Sequence, residues 1–394
     1  MKILVVSHYY AAHGGGIESV IRQLLLAFRE VAPRHRFTWA ATDCDVAAEL
    51  PGVTNLPMAG SNAIEAKHGV PLPLWSWRAL RQLAAAVKEH DAVWLHDTLY
   101  MGNIAAYWLA RRAGKPVIIT QHIGEVPYQN PWLMRLVTWG NRFLSRPMLR
   151  HANRVIFIAA PVRAYFSQQI AHWAAPPLLI LNGVQHSVYK TVGAERRTML
   201  REKYALGDGF TVLFVGRFVA KKGLTVLRLL AQQMPDVQFL FAGKGPLDPE
   251  QWQLPNCRVL RDRIGVAIAE LYQAADLLLL PSSGEGFPLV IQEAAACGLP
   301  IMCGPVSAAA DPNVTGFLNT APVLPDDPVN TTADWVQALQ ILQQEPERRA
   351  AQGLALANYA RDHWSWQTAA LNYDALFATL PQPQSLPKVD DEAA

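Results

Sequence analysis

Short apolar runs alternate along the chain with longer segments in which apolar residues recur every three or four positions. The pattern predicts strands at 3–7, 36–41, 92–96 and 116–120, and later at 210–215, 238–242, 257–260, 277–280 and 299–303. Between and after the strands it predicts helices that begin near 17, 75, 103, 224, 266 and 289, and two more at 332–344 and 347–360. Alternation of this kind predicts a doubly wound parallel sheet in each half of the chain.

The alternation restarts near the middle, which divides the chain into two predicted domains. Residues 1–185 form the first and residues 186–365 the second, and the turn-forming pair Asn182-Gly183 precedes the boundary. Residues 381–394 are rich in proline, polar and acidic residues and have no periodic apolar face. We therefore expect a disordered tail at 381–394.

Composition agrees with two cores and excludes several other classes. The chain has 394 residues, of which 51% are hydrophobic, and its formal charge of +3 is too small to indicate a nucleic-acid binder. The four cysteines form no CxxC pair, so we expect buried, reduced thiols rather than a zinc site or disulfides. The apolar run after Lys2 is too short for a signal peptide, and no stretch of 18 apolar residues occurs. We expect a cytoplasmic protein.

Two glutamates flank a predicted helix start in the segment 277–298. Glu285 lies in a loop after a buried strand, and Glu293 follows eight residues later in a small-residue helix. Free backbone N–H groups at the helix start suit phosphates, and a carboxylate can accept two hydrogen bonds from a ribose diol. The segment therefore suits a sugar nucleotide, although two solvated glutamates would give the same spacing.

A second loop carries paired cations. Arg217 and Lys222 stand five residues apart after the predicted strand 210–215, and both can reach one diphosphate. Two cations there would offset the charge of a leaving diphosphate without a metal ion. The alternative is an exposed basic turn, and we expect Lys221 to be solvated.

Weaker candidates lie in the first half. Gly14, Gly15 and Gly16 form a loop before a helix and could admit a phosphate or sugar, but they could equally be a tight turn. His122 ends a buried strand, where open α/β sheets bind ligands, and His96 is a second, less favoured histidine of this kind.

One short acidic motif, a D-x-D at 43–45, could hold a metal ion, but this is the less favoured interpretation. Asp43-Cys44-Asp45 follows an early strand, and no further acidic cluster stands near it in the sequence. We interpret it as a solvated loop.

The motifs together resemble those of the retaining glycosyltransferases of family 4. The matching segments are E-x7-E with GFP after Glu285, the GR…KG loop at Arg217 and Lys222, NGV at 182–184, GKGP at 243–246 and TGFL at 315–318. The resemblance reaches to about residue 380 and implies a GT-B fold, in which two Rossmann-like domains face a cleft. It also implies that the closing helix, at about 366–380, crosses back to the first domain.

The resemblance implies roles for individual residues. Glu285 would contact the donor sugar as a catalytic residue, Glu293 would hold the ribose, and His122 would lie near the sugar as a second catalytic residue. The expected donor-binding residues are Gly15, Gly16, Arg217, Lys222, Ile264, Gly286, Phe287, Leu289, Val290 and Glu293. The chain departs from the family pattern at Ile123 and Gln185, where relatives usually have Asp.

The implied reaction is transfer of a sugar from a nucleotide diphosphate sugar to an acceptor hydroxyl with retention of configuration. It would require no metal or other cofactor and would serve bacterial polysaccharide or glycolipid assembly. A nucleotide-sugar epimerase of similar two-domain fold is the alternative enzyme, and a non-catalytic sugar-nucleotide binder is a third class. The base, the sugar and the acceptor stay open.

Charge is distributed unevenly in the first half. Residues 126–194 contain no Asp or Glu, and the cations there are Arg135, Arg142, Arg146, Arg150, Arg154, Arg163 and Lys190. If 132–146 is helical, Trp132, Leu136, Trp139 and Phe143 share one face beside the arginines. This pattern suits peripheral docking on the inner face of the cell membrane, near a lipid-linked acceptor. Packing of the aromatic residues in the core, or a soluble sugar acceptor, are the alternatives.

Overall fold

A computed structural model of the chain describes residues 1–68, 72–124 and 131–381. The first domain contains a seven-stranded sheet in the order β3-β2-β1-β6-β7-β8-β9, and every neighbouring pair is parallel. Its strands are β1 (Lys2–Val6), β2 (Arg36–Thr42), β3 (Val53–Met58), β6 (Ala92–His96), β7 (Val117–Gln121), β8 (Arg154–Phe157) and β9 (Leu178–Leu179). Two short strands, β4 (Gly60–Ser61) and β5 (Leu74–Trp75), pair antiparallel beside it.

The second domain contains a six-stranded parallel sheet in the order β12-β11-β10-β13-β14-β15. Its strands are β10 (Thr211–Val215), β11 (Gln238–Ala242), β12 (Cys257–Leu260), β13 (Leu277–Leu280), β14 (Ile301–Cys303) and β15 (Asn319–Thr320). All four leucines of β13 are buried, although successive side chains point to opposite faces, so both faces of the sheet are covered at this strand. The carboxyl ends of β10 and β13 lie side by side in the sheet, and their loops carry the predicted motifs.

Helices connect the strands. Those of the first domain are α1 (Gly16–Val31), α2 (Ala63–His68), α3 (Trp77–Glu89), α4 (Met101–Arg112), α5 (Pro131–Gly140), α6 (Arg146–His151) and α7 (Ala160–Ser167). Those after it are α8 (Ala194–Lys203), α9 (Leu224–Gln233), α10 (Val266–Ala274), α11 (Leu289–Ala296), α12 (Pro305–Ala308), α13 (Pro328–Gln344), α14 (Pro346–His363) and α15 (Trp366–Ala378). Two parallel sheets of this kind confirm the predicted doubly wound architecture and the GT-B fold.

Several predicted boundaries were wrong for local reasons. The helix predicted at 75–90 begins at Trp77, because Trp75 pairs in β5 and the Ser76 hydroxyl caps the helix by accepting from the Ala79 N–H. The segment 132–146, considered above on the condition that it is helical, is α-helical to Gly140 and continues as a π-helical turn over Asn141–Ser145. The pattern also missed β3, β9 and α8, which are short or mostly polar.

The closing helix crosses back to the first domain, as expected. The ring of Phe377 stacks on Phe28 of α1, with centroids 5.5 Å apart. The Tyr373 hydroxyl lies 3.0 Å from Thr120 Oγ1 in β7. Helix α15 therefore covers one face of the first sheet and completes its core.

The connection between the domains packs against the start of this helix. A Cβ on Gly183 would lie 2.2 Å from the backbone nitrogen of Trp366, so only glycine fits there. Val184 forms an isolated parallel bridge with Ser365. The domain boundary predicted at 185/186 falls within this contact and stays a prediction.

Three further expectations concern individual segments. The cysteines are free, but Cys44 is exposed and Cys257 only half-buried, so the expectation of four buried thiols was wrong. None of the helices in the described parts of the chain combines the length and the apolar character needed to span a lipid bilayer. Of the predicted tail, residues 382–394 lie outside the described residues, as does the start of the acid-free stretch at 126–130.

Candidate active site between the two sheets

The loops after β10 and β13 are locked together at their backbones. Gly223 adopts φ +76°, and a Cβ there would lie 2.2 Å from the carbonyl oxygen of Pro281. The Ser283 N–H donates to the Lys221 carbonyl oxygen at 2.9 Å. A side chain at position 223 would therefore separate the loops, which explains why the basic loop needs its glycine.

This contact brings the two predicted motifs into an ion pair. Lys222 Nζ lies 2.9 Å from Glu285 Oε2, and each side chain is only 14% exposed. Burial alone would raise the pKa of the Glu285 carboxyl, but the ammonium groups of Lys222 and Lys221 hold that pKa below its usual value. The carboxylate is therefore ionised at neutral pH. Its other oxygen, Oε1, is buried without a hydrogen-bond partner in the described part of the chain.

Arg217 differs from Lys222 in its surroundings. Its side chain is exposed at the same loop, and its guanidinium makes no hydrogen bond or ion pair with the described residues. The two cations are therefore close in the chain, but only Lys222 has a fixed partner. Lys221 is exposed by residue area, but desolvation lowers the pKa of its ammonium group, so the expectation of a fully solvated side chain is only partly met.

Glu293 lies in α11 among tyrosines. The Tyr272 hydroxyl donates to Glu293 Oε2 at 2.9 Å, and Tyr189 makes a second hydrogen bond to the same carboxyl. Burial nevertheless raises the pKa of the Glu293 carboxyl above its usual value. The sequence analysis missed both tyrosines, since a tyrosine in an apolar segment gives the same pattern as a core residue.

The start of α11 offers backbone donors that have no partner among the described residues. Pro288 precedes the helix, and no side chain caps it. The Ile291 N–H bonds to the Pro288 carbonyl, which leaves the N–H groups of Leu289 and Val290 directed out of the helix. The Phe287 ring is buried against Trp364 at 5.4 Å, so Phe287 could contact a ligand only through its backbone.

The two domains touch at Gly286. A Cβ on Gly286 would lie 2.1 Å from the carbonyl oxygen of His122, so this position also excludes any side chain. The predicted residues of the second domain thus reach the end of β7, where His122 stands. The contact is made by the backbone of His122 rather than by its ring.

The His122 ring is buried in the first domain. Its Nε2 lies 3.0 Å from Nδ1 of His96, and burial lowers the pKa of His122 to about 3. Burial also holds the pKa of His96 well below its usual value. Both rings are therefore neutral at physiological pH, which excludes an imidazolium at His122 as the group that stabilises developing charge.

Asp97 is a buried carboxyl that the sequence analysis did not single out. Its Oδ1 accepts from the backbone N–H of His122 at 2.9 Å, and its Oδ2 has no partner in the described residues. Burial raises the pKa of Asp97 to about 7. Its φ of +67° is unusual for a residue with a Cβ, and the Asn103 amide fixes it by donating to the carbonyls of His96 and Asp97. The position of Asp97 directly after a buried strand was the available signal.

The glycine loop already faces a carboxylate of the chain itself. A Cβ on Gly15 would lie 2.1 Å from Glu18 Oε2, and Glu18 is buried and paired with His8 Nε2 at 2.9 Å. Around Gly14 and Gly16 the space is open to at least 4 Å. A side chain at Gly15 would have to displace the Glu18 carboxylate, while Gly16 leaves room for a ligand.

Two further features are an exposed apolar side chain and a cavity between the domains. Ile264 is 83% exposed on the loop after β12, where an apolar side chain is available to a flat ring. A cavity of about 590 Å³ separates the domains and is bounded by Gly124 and Tyr165 on one side and by 282–285 on the other. Of the predicted site residues, only Glu285 lines that cavity.

Known proteins with named activities are similar over most of the chain. A phosphatidylinositol monomannoside mannosyltransferase from Mycolicibacterium smegmatis, described as GDP-mannose-dependent and alpha-(1-6), is 27% identical and covers 93% of this chain and 95% of its own. A D-inositol 3-phosphate glycosyltransferase from Arthrobacter is 26% identical and covers 73% and 71%.

Solved structures share the fold. Anabaena HepE in complex with UDP-glucose superposes with a TM-score of 0.74 at 16% identity, over 96% of this chain and 100% of its own. Sucrose-phosphate synthase from Thermosynechococcus elongatus gives a TM-score of 0.73 at 19% identity, over 96% and 98%.

Two family models account for both domains. The model described as "Glycosyl transferase 4-like domain" matches residues 15–183, and the model described as "Glycosyl transferases group 1" matches residues 209–340. Together they span most of the chain, one on each sheet. The ion pair between GR…KG and E-x7-E lies within the second match. The chain is a glycosyltransferase of family 4 with the GT-B fold.

Proposed function

We propose that the protein transfers a sugar from a nucleotide diphosphate sugar to an acceptor hydroxyl with retention of configuration. The observation that carries the proposal is the Lys222–Glu285 ion pair, which leaves Glu285 Oε1 unpartnered beside the uncapped start of α11. An ionised carboxylate oxygen can accept from a sugar hydroxyl, and helix N-terminal amides suit a phosphate. The two groups together match the two halves of the donor.

Departure of the diphosphate is assisted by cations of the chain. Lys222 has three N–H donors, of which Glu285 uses one, so the others can reach a phosphate oxygen. Arg217 is exposed and can form a two-pronged contact with the same group. The attraction between these cations and the diphosphate increases as the leaving group gains negative charge. This lowers the barrier to transfer without a metal ion.

Glu293 holds the ribose in this proposal. Its two tyrosine partners fix the carboxyl, and its remaining lone pairs can accept the ribose hydroxyls. Ile264 provides an apolar surface for the base. These contacts do not change during transfer, so they contribute binding rather than rate.

Transfer with retention of the anomeric configuration is consistent with a Glu285 carboxylate that is ionised and paired with Lys222. Its carboxylate is held by Lys222 and is therefore suited to position the sugar rather than to attack it. The acceptor would then approach from the face that the diphosphate leaves, and the diphosphate oxygen would take the acceptor proton. His122 is neutral and buried, so its part is limited to backbone and N–H contacts near the sugar.

The acceptor is proposed to be a lipid-linked molecule at an anionic membrane surface. Trp132, Leu136, Trp139 and Phe143 are 76%, 63%, 56% and 51% exposed, which contradicts the alternative that they pack in the core. Arg135 and Arg142 lie over the rings of Trp132 and Phe143, each 5.5 Å from the ring centroid. Aromatic and basic groups side by side suit the headgroup region, where each cation contributes about 1 kcal/mol. Relatives named for phosphatidylinositol mannosides support a glycolipid acceptor.

Vesicle sedimentation tests the docking surface. The double variant Leu136→Ala/Arg142→Glu should lose binding to phosphatidylglycerol vesicles. Leu354→Ala/Arg228→Glu makes the same chemical changes in the second domain, and Leu354 is also 63% exposed, so this control should bind like the wild type. Equal losses in both variants, or equal binding to neutral vesicles, would reject membrane docking at this helix.

Product analysis tests the reaction itself. The protein is incubated with GDP- and UDP-sugars, with and without a bacterial lipid extract, and NMR determines the anomeric configuration of any product. Transfer needs the acceptor, whereas an epimerase would convert the donor alone and a binder would do neither. An inverted anomer would reject retention while leaving transfer intact.

A further inference from the structure

Three kinds of metal-binding side chain converge beside the glycine loop of the first domain. His13 precedes the glycines, Cys44 and Asp45 follow β2, and Glu65 lies in α2. His13 Nδ1, Cys44 Sγ and a carboxylate oxygen of Asp45 all lie within 4.8 Å of one another. Asp43 and Cys44 are exposed, as expected of a solvated loop, but Asp45 contacts His13, which in turn contacts Glu65.

The His13 ring is held in one orientation. It stacks on the ring of Tyr9, with centroids 3.7 Å apart and 17° between the planes. Tyr9 is itself buried, and its hydroxyl donates to the Asn62 side chain. On its far edge, His13 Nε2 lies 3.2 Å from the Glu65 carboxylate. Nδ1 is thereby directed at Asp45.

In this orientation a ring nitrogen of neutral His13 and the Asp45 carboxylate face each other as two hydrogen-bond acceptors, unless a cation lies between them. When Glu65 accepts the Nε2 proton, neutral His13 has a lone pair on Nδ1, which lies 2.9 Å from Asp45 Oδ2. A ring whose second N–H donates to a carboxylate is typical of metal-ligating histidines, because that contact fixes the tautomer. A second proton on His13 would be the other way to join the two groups.

We propose that His13 Nδ1, Cys44 Sγ and Asp45 bind a zinc ion, with Glu65 orienting the histidine. Zinc takes nitrogen, sulfur and carboxylate ligands in tetrahedral geometry, whereas a thiolate and an imidazole disfavour magnesium and calcium. Three protein ligands leave a fourth position for water.

The ion would stabilise the relative positions of the loops on the part of the first domain that faces the cleft. It would tie the residue before Gly14 to the loop after β2 and to α2, three segments without a shared strand pairing. The site involves neither Lys222 nor Glu285, which belong to the second domain. The proposal is therefore independent of charge neutralisation at the diphosphate.

Metal binding to the full chain tests the proposal. Metal-free protein is titrated with zinc chloride by calorimetry, and with cobalt chloride by absorption spectroscopy. We expect one equivalent of each and, with cobalt, a thiolate-to-metal charge-transfer band. A cysteine binds zinc as a thiolate, so binding should release the Cys44 thiol proton.

Variants identify the ligands. Cys44→Ser should abolish the charge-transfer band, Asp45→Asn should weaken zinc binding strongly, and Glu65→Gln should weaken it roughly 10- to 100-fold, as expected for an orienting partner. Cys257→Ser removes a half-buried thiol in β12 and should leave stoichiometry and spectrum unchanged. Cys44 is exposed, so its replacement should not impair folding.

Two results would overturn the proposal. The first is no stoichiometric zinc binding by the wild type, which would mean that a protonated His13 joins the two carboxylates. The second is zinc and cobalt binding that Cys44→Ser and Asp45→Asn leave intact, which would place the ion elsewhere.

Discussion

The Tyr272 hydroxyl donates to Glu293 Oε2 at 2.9 Å, so a buried phenol fixes the carboxyl that is expected to hold the ribose. This hydrogen bond stabilises the ionised carboxylate, whereas burial opposes ionisation and raises its pKa. Glu293 must be ionised to accept two ribose hydroxyls at once. Nucleotide affinity should therefore decrease as the pH is lowered. The decrease should begin at a pH above the usual titration range of glutamate.

Tyr272→Phe should shift this loss of nucleotide affinity to a still higher pH, because the substitution removes a hydrogen bond that lowers the Glu293 pKa. Calorimetric titration with nucleoside diphosphate across pH would measure the shift. Tyr204→Phe is a matched control, since the Tyr204 hydroxyl donates to Glu270 at 2.8 Å in another Tyr–Glu pair of the same domain. A shift of the same size in both variants would mean that Tyr272 acts only through stability.

The two cations of the GR…KG loop should behave differently when removed. Arg217→Ala loses an exposed side chain and should weaken donor use by about 1.5–3 kcal/mol without changing the melting temperature. Lys222→Ala should weaken donor use similarly and also destabilise the fold, since Glu285 is left buried and unpaired. Steady-state kinetics and thermal unfolding measure both effects.

The stability effect of Lys222→Ala should depend on pH. The folded-state pKa of Glu285 is lowered, so its ionised form contributes stability above the ordinary glutamate pKa and loses it as pH falls through the folded value. The difference between the wild type and Lys222→Ala should therefore narrow on acidification. A constant difference would indicate that Lys222 stabilises the loop by packing instead.

Substitutions at Glu285 and Glu293 should affect different quantities, the turnover rate and the nucleotide affinity respectively. Glu293→Gln should chiefly weaken nucleoside diphosphate binding, because a ribose contact is the same in ground and transition states. Glu285→Gln should chiefly lower kcat, because the sugar contact matters most as the bond breaks. Comparing kcat with calorimetric nucleotide affinity separates the two. If both substitutions changed affinity alone, Glu285 would have no catalytic role.

The sequence predicted what depends on short, periodic segments. The bounds of β11 and β13 were predicted to the residue, because their apolar runs end at the turn residues Gly243 and Pro281. Strand β3 was missed because it lies at the sheet edge and contains Pro57 and polar residues.

Side-chain pairing between distant segments was only partly predictable. The resemblance indicated that Lys222 and Glu285 face one ligand, but their direct ion pair needs the loop contact at Gly223. The partners of Glu293 and His13 stand far from them in the chain, and no local pattern marks them. The roles of the predicted site residues stay predictions.

Transfer should not depend on a divalent ion at the diphosphate. Arg217 and Lys222 supply two positive charges there, so EDTA should leave turnover intact and added magnesium or manganese should not increase it. Chelation should instead lower the melting temperature of the wild type, through loss of the proposed zinc site, and not that of Cys44→Ser. Turnover lost in EDTA and restored by manganese would contradict charge neutralisation by the two cations.

Asp97 should make the stability of the first domain fall as pH rises. Burial raises its pKa from 3.8 to about 7, so the folded protein binds a proton that the unfolded chain has already lost between those values. Stability contributed by the protonated form is therefore full below about pH 4 and is lost as pH rises through about 7. Asp97→Asn cannot ionise and should remove this slope, while its side-chain oxygen can still accept from the His122 N–H. Urea unfolding between pH 5 and 8.5, roughly the range spanned by this loss, would measure it. A wild-type slope that survives in Asp97→Asn would assign the titration to another group.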